Sequence, residues 1–238
     1  MRQLFARRPA IVMGLALVAM ALIAGAIATS IYIFGAGGGN PGKTTNGTAT
    51  VPTLATNGSG TLFTIDQSSS KATFTIDEVL FGKPNIVVGE TSRVAGQILV
   101  NQQIPSQSQI GAIKVDVSTL VTDNPLRNRT LQGRILETGQ SANQYATFTT
   151  KSITGLPTSI AVGQQVSFKI SGDLTVHQVT KPVTFTAKVT LASARQLTGQ
   201  AQTTVTYRDY NISVPDVPSV TGLGDTVTLT ITFTAHAG

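Results

Sequence analysis

The chain has 238 residues, a formal charge of +6, no Cys, no Trp and only two His, His177 and His236. Without Cys there is no disulfide framework, thiolate metal site, Cys nucleophile or lipid-modified Cys. Residues 1–59 hold four basic residues and no acidic one, leaving the remainder at a balance of +2, without the basic stripe and aromatic platforms of a nucleic-acid binder.

Residues 10–34 are apolar and carry no charge. As a helix they would extend about 37 Å, enough for a hydrocarbon core of about 30 Å. Arg2, Arg7 and Arg8 precede this stretch and nothing basic follows until Lys43. The positive-inside rule then puts residues 1–34 down as a cytoplasmic stub and transmembrane anchor, with the rest outside. A cleaved signal peptide is the rival, because Ala24-Gly25-Ala26 and Ala26-Ile27-Ala28 have the small-x-small pattern. The apolar run resumes at Ile31-Tyr32-Ile33-Phe34, which favours an uncleaved signal-anchor. The expected location is extracytoplasmic on either reading: periplasmic or extracellular when anchored, secreted when cleaved.

Residues 35–60 are rich in Gly, Thr and Asn and read as a flexible linker. Within them, Gly37 to Thr44 matches the phosphate-loop pattern. That pattern works only between a buried strand and a helix N-terminus, and neither is expected here. The match is read as accidental.

Residues 61–238 alternate with period two. In Thr226 to Thr234, Val227, Leu229, Ile231 and Phe233 fall on one face and Thr on the other. Similar stretches are Leu62–Asp66, Ala72–Ile76, Ala95–Val100, Ile113–Val117, Ala146–Thr150, Val166–Ile170, Val183–Leu191 and Gln200–Tyr207. Gly155-Leu156-Pro157, Ser171-Gly172-Asp173 and Gly222 to Asp225 read as turns between them. Asn124 to Thr138 departs from this period. Its apolar residues Leu126, Leu131, Ile135 and Leu136 suit a short helix with Pro125 in its first turn. About eight one-faced strands must bury those faces together, in a barrel or in a two-sheet sandwich, and periodicity leaves both open.

Four segments carry a resemblance. They are Gly172 to Phe185 (GDLTVHQVTKPVTF), Val115 to Asp123 followed by Leu126 to Gln132, Tyr145-Ala146-Thr147-Phe148, and Tyr207 to Ile212 (YRDYNI). In this order the stretch from Phe63 onward resembles the YceI-like family of exported, lipid-binding β-barrels. There are departures. Asp77 and Glu78 occupy the region where many members carry a His. Gln178 and Asn211 stand for Gly, and Gln144 for Pro.

The resemblance implies an all-β, extended, eight-stranded antiparallel barrel, lipocalin-like, with one short helix, over residues 61–238. It also implies an apolar channel, which Phe74, Ile76, Phe148, Phe168, Val176 and Phe185 would line. Those same residues would suit any filled β core, since interiors are normally close-packed. The expected function is to carry or sequester an isoprenoid lipid, a polyprenol or quinone-like molecule, with no enzymatic activity. The alternatives are a non-enzymatic surface or stress-response module with a filled core, and, behind it, an exported hydrolase. No catalytic residue, metal site or cofactor is expected beyond a bound isoprenoid lipid or quinone. The partners are that lipid and the membrane, with a homodimer admitted and nucleic acid excluded. His177, at a turn, and His236, near the C-terminus, read as solvated, as do the Asp77-Glu78 pair and the helix face bearing Arg127, Arg129 and Arg134.

Overall fold

The computed structural model describes residues 49–55, 59–216, 218 and 220–238. The expected anchor and the phosphate-loop match lie outside the described residues. Among those described, no helix is long and apolar enough to cross a membrane.

The strands are β1 (Thr61–Ile65), β2 (Lys71–Leu80), β3 (Lys83–Thr91), β4 (Val94–Ala95), β5 (Gln97–Val100), β6 (Gln109–Ile110), β7 (Ile113–Asp116), β8 (Tyr145–Thr154), β9 (Gln165–Val176), β10 (Val179–Ser193), β11 (Gln196–Thr206), β12 (Val220–Thr221) and β13 (Thr226–Ala237). They form one antiparallel sheet in the order β4-β7-β8-β9-β10-β11-β13-β1-β5-β6, with β2 on β13 and β3 on β2. The fold is mostly β with one short helix, and the sheet curls into a half-barrel. The sheet is more broken than the regular eight-stranded barrel that the resemblance implies. Long strands are interrupted: β1 and β2 both pair with β13, on either side of a 3-10 turn at Gln67–Ser69. The β4–β7 seam is only two residues long, Val94 on Val115 and Ala95 on Lys114.

Alternation sets which faces point inward. On β10, Phe185, Ala187 and Leu191 are buried while Thr184, Thr186 and Lys188 are exposed. The β9–β10 hairpin turns on His177 and Gln178, both with positive φ. That is the backbone of a type I′ turn, which usually takes Asn-Gly. Gln178 sits there without the freedom of Gly, and its Nε2 donates to Asn143 Oδ1 at 2.9 Å, tying the turn to the loop opposite. Asn211 likewise keeps a positive φ, a conformation Asn tolerates.

Ser171-Gly172-Asp173 is not a turn but lies inside β9. A Cβ on Gly172 would stand 2.2 Å from the Thr149 carbonyl oxygen and 2.7 Å from the ring of Phe148, so the missing side chain makes room for both. Strand β3, unannounced by alternation, pairs with β2 and places Gly89 opposite Phe74. A Cβ there would stand 2.1 Å from the Phe74 ring.

The helix α1 (Pro125–Thr130) begins where the sequence predicts. Asn124 Oδ1 caps it by accepting from the amides of Leu126 and Arg127 at 2.9 and 3.2 Å. A π turn over Leu131–Ile135 follows and seats Leu131 and Leu136 on Val117 and Leu120. The linker is not wholly free: Gln67 both donates to and accepts from the Ala49 backbone (2.7 and 2.8 Å), and the Leu54 amide donates to Gln97 Oε1.

Candidate functional site

The curled sheet and α1 enclose a cavity of about 550 Å³, and a second one of about 100 Å³ lies further along the interior. Protein interiors hold few voids larger than a water molecule, so a space of this size is a feature to be explained. Phe74, Ile76 and Val176 are on the wall of the larger cavity, and Phe168 is on the wall of the smaller. Phe148 and Phe185 border both. Their rings stand edge to face, with centroids 5.0 Å apart. Phe74 and Phe148 lie over Gly89 and Gly172, so two glycines hold two wall rings in place.

The smaller cavity is apolar except for Ser108. The larger has a mixed end, where Glu78, Arg127, Asp216, Tyr207 and Tyr210 join the wall. The exposed Leu126 and Asp216 are also wall residues, which puts the mouth on the side of α1.

Two charged residues, Glu78 and Arg127, are not solvated as the sequence suggests. Glu78 is not a solvated strand end: it is buried, although Asp77 beside it is exposed. Strand alternation points the two in opposite directions. Arg127 is not part of a solvated helix face either. Its guanidinium bridges two carboxylates, with Nη2 3.1 Å from Glu78 and Nη1 2.7 Å from Asp123. Arg129 and Arg134 are exposed, as expected.

The two histidines differ. His236 is half-exposed, 3.9 Å from Asp66. The Asp66 carboxyl is held below its usual range, chiefly by the hydroxyls of Ser69 and Ser68 and the Ser68 amide. His177 is mostly buried rather than solvated. Its Nε2 lies 3.4 Å from Glu137 Oε2, and its Nδ1 is enclosed without a partner among the described residues. No Ser or Thr hydroxyl of the described chain bonds to it, so the constellation of a hydrolase is not assembled there. Nor do three or more His, Asp or Glu side chains gather as a metal site among the described residues.

The chain matches the model of the YceI-like domain over residues 63–235. It belongs to the YceI-like family. No curated protein matches it. The YceI-like domain is similar in structure to a polyisoprenoid binding domain from Saccharophagus degradans, implicated in plant cell wall breakdown. The TM-score is 0.61 at 16% identity, covering 76% of this chain and 100% of that one. It is also similar to Burkholderia cenocepacia BcnA, with TM-score 0.56 at 18% identity, covering 71% of this chain and 98% of that one.

Tyr210, in the motif Tyr207 to Ile212, offers a test of how dry this wall is. It is buried, and its Oη has no partner among the described residues. Burial, reinforced by the charge of Asp209, pushes its pKa up to about 12. The unfolded chain ionises Tyr near pH 10. The stability linked to Tyr210 is therefore intact below pH 10 and declines as pH rises from about 10 to 12. Tyr210→Phe should remove on the order of 1–2 kcal/mol of that alkaline loss. Near neutral pH the same change should be neutral or slightly stabilising, because it deletes an unmade hydrogen bond. Urea unfolding of both proteins at pH 8 and pH 11.5 checks this, and equal alkaline losses would contradict it.

Proposed function

We propose that this protein is an exported, membrane-tethered carrier or sequestering protein for an isoprenoid lipid, a polyprenol or quinone-like molecule. On this reading the curled sheet works as an elongated, lipocalin-like barrel of eight strands. The observation that carries the proposal is the cavity of about 550 Å³ with its apolar continuation past Phe148 and Phe185. Supporting it, a relative of similar fold is a polyisoprenoid binding domain.

The energetics suit a long apolar ligand. Each buried methylene contributes about 0.8 kcal/mol, so one isoprene unit supplies on the order of 3 kcal/mol gross. A few units exceed the cost of ordering a flexible chain. No catalytic group is needed for such a task. A filled-core surface module, the second reading, calls for a close-packed interior, and the cavity favours the carrier over it. The uncharged stretch at residues 10–34 behind three arginines motivates export and tethering.

Full-length protein, purified from a bacterial host in mild detergent, should release a stoichiometric prenyl lipid on solvent extraction, read by mass spectrometry. An empty protein that also refuses both an added polyprenol and an added prenylquinone would overturn the carrier reading. Protease added to intact spheroplasts should digest the domain, and its protection there would overturn export.

A further inference from the structure

We propose that Glu78 is the head-group receptor of the larger cavity, and that it selects a neutral isoprenoid bearing a hydroxyl over one bearing a phosphate. This rests on the lipid-carrier reading and specifies the chemistry of its ligand.

Glu78 lies on β2 in a wall that is otherwise mainly apolar, and its side chain is 5% exposed. A buried carboxylate is costly unless donors surround it. Its two donors converge on one oxygen: Asn85 Nδ2 donates to Oε1 at 2.8 Å and Arg127 Nη2 donates to Oε1 at 3.1 Å. No described residue donates to Oε2. Glu78 is itself a wall residue of the cavity, and Oε2 is the oxygen that its two described donors leave for a ligand. The open side of Glu78 is a strong acceptor at a cavity built for an apolar molecule.

An ionised carboxylate accepts and does not donate. The group it can hold is an O–H or N–H, and its bonds to such donors are about twice as strong as neutral ones. An alcohol or phenol head meets that requirement, whereas an ether or a hydrocarbon end does not. A phosphate head is disfavoured by charge. The charged wall residues are Glu78, Asp216 and Arg127, two carboxylates against one guanidinium. Asp123 takes the other side of Arg127 at 2.7 Å, so that guanidinium is already engaged twice. A dianionic head brought beside Glu78 meets like charge in a site poorly screened by water. The cations Lys83, Arg129, Arg134 and Arg208 are exposed and act through solvent.

The test uses delipidated full-length protein and four probes: geranylgeraniol, its methyl ether, geranylgeranyl monophosphate and squalene. Geranylgeraniol should bind at least about tenfold more tightly than the ether and the monophosphate, a factor that corresponds to one charge-assisted hydrogen bond. Glu78→Gln keeps the shape and a carbonyl oxygen for Arg127. It should bring the alcohol-to-phosphate ratio to within about threefold of unity while squalene binding stays unchanged. Equal affinity of wild-type protein for alcohol and ether overturns the proposal even if the variant fails to fold. So does tighter binding of the monophosphate, or a ratio that Glu78→Gln leaves intact. Squalene binding without any head-group preference overturns this proposal alone. Refusal of all four probes overturns the carrier reading with it.

Discussion

Phe148→Ala should destabilise the unliganded domain by about 3 kcal/mol and lengthen the prenyl chain it holds. Phe148 is buried, and it meets Phe185 edge to face at 5.0 Å between ring centroids. Deleting a buried Phe side chain costs about 3–5 kcal/mol, including the void left behind. The lower end applies here because the ring already borders two cavities, so fewer contacts are lost than in a packed core. Gly172 adds to the argument: it has no Cβ to swing into the vacated space. The two cavities, about 550 and 100 Å³, would then merge. Urea unfolding reads the first effect. Affinities across prenyl alcohols of increasing chain length read the second, and the optimum should move up by at least one isoprene unit. An unchanged optimum would show that the ligand does not thread past this ring.

Much of the sheet could be read from alternation. Strands β8, β9, β10, β11 and β13 sit where Thr alternates with apolar residues, because one face of each is buried and side chains alternate with period two. Strand β3 could not be read, since Pro84 and Gly89 look like breakers. Gly89 is there for the Phe74 ring across the pair, and sequence offers no sign of a neighbour's bulk. Gly172 was misread as a turn for the same reason. The six candidate wall residues could be named from the resemblance and from their apolar, inward phase. That they border a void could not, because a side chain that lines a cavity is of the same kind as one that fills a core. The polar end of the cavity was the least legible. Glu78 and Arg127 are 49 positions apart, and no local pattern announces that pairing. His177 looked solvated because it sits on a turn, yet the turn is folded against the loop that carries Glu137 and Asn143.

Arg127→Ala should lower stability by about 2–3 kcal/mol, far more than the loss of an exposed surface charge. An exposed ion pair is worth about 0–1 kcal/mol. Breaking a buried pair costs about 3–5 kcal/mol, because the partner's charge is left stranded. Arg127 lies between these cases: its side chain is 22% exposed, but that of Glu78 is 5% exposed. After the change Glu78 would keep only Asn85 as a donor. Arg127→Lys should recover part of the loss, since a single ammonium cannot reach Glu78 and Asp123 with the fork that a guanidinium offers. The decisive measurement is the double-mutant cycle with Glu78→Gln, by urea unfolding at pH 7. If a stranded charge is the cause, Glu78→Gln should be nearly harmless in the Arg127→Ala background and costly in the wild type, giving a coupling energy of at least about 1 kcal/mol. Additive costs would instead place the loss in the packing of the Arg127 stem against the cavity mouth.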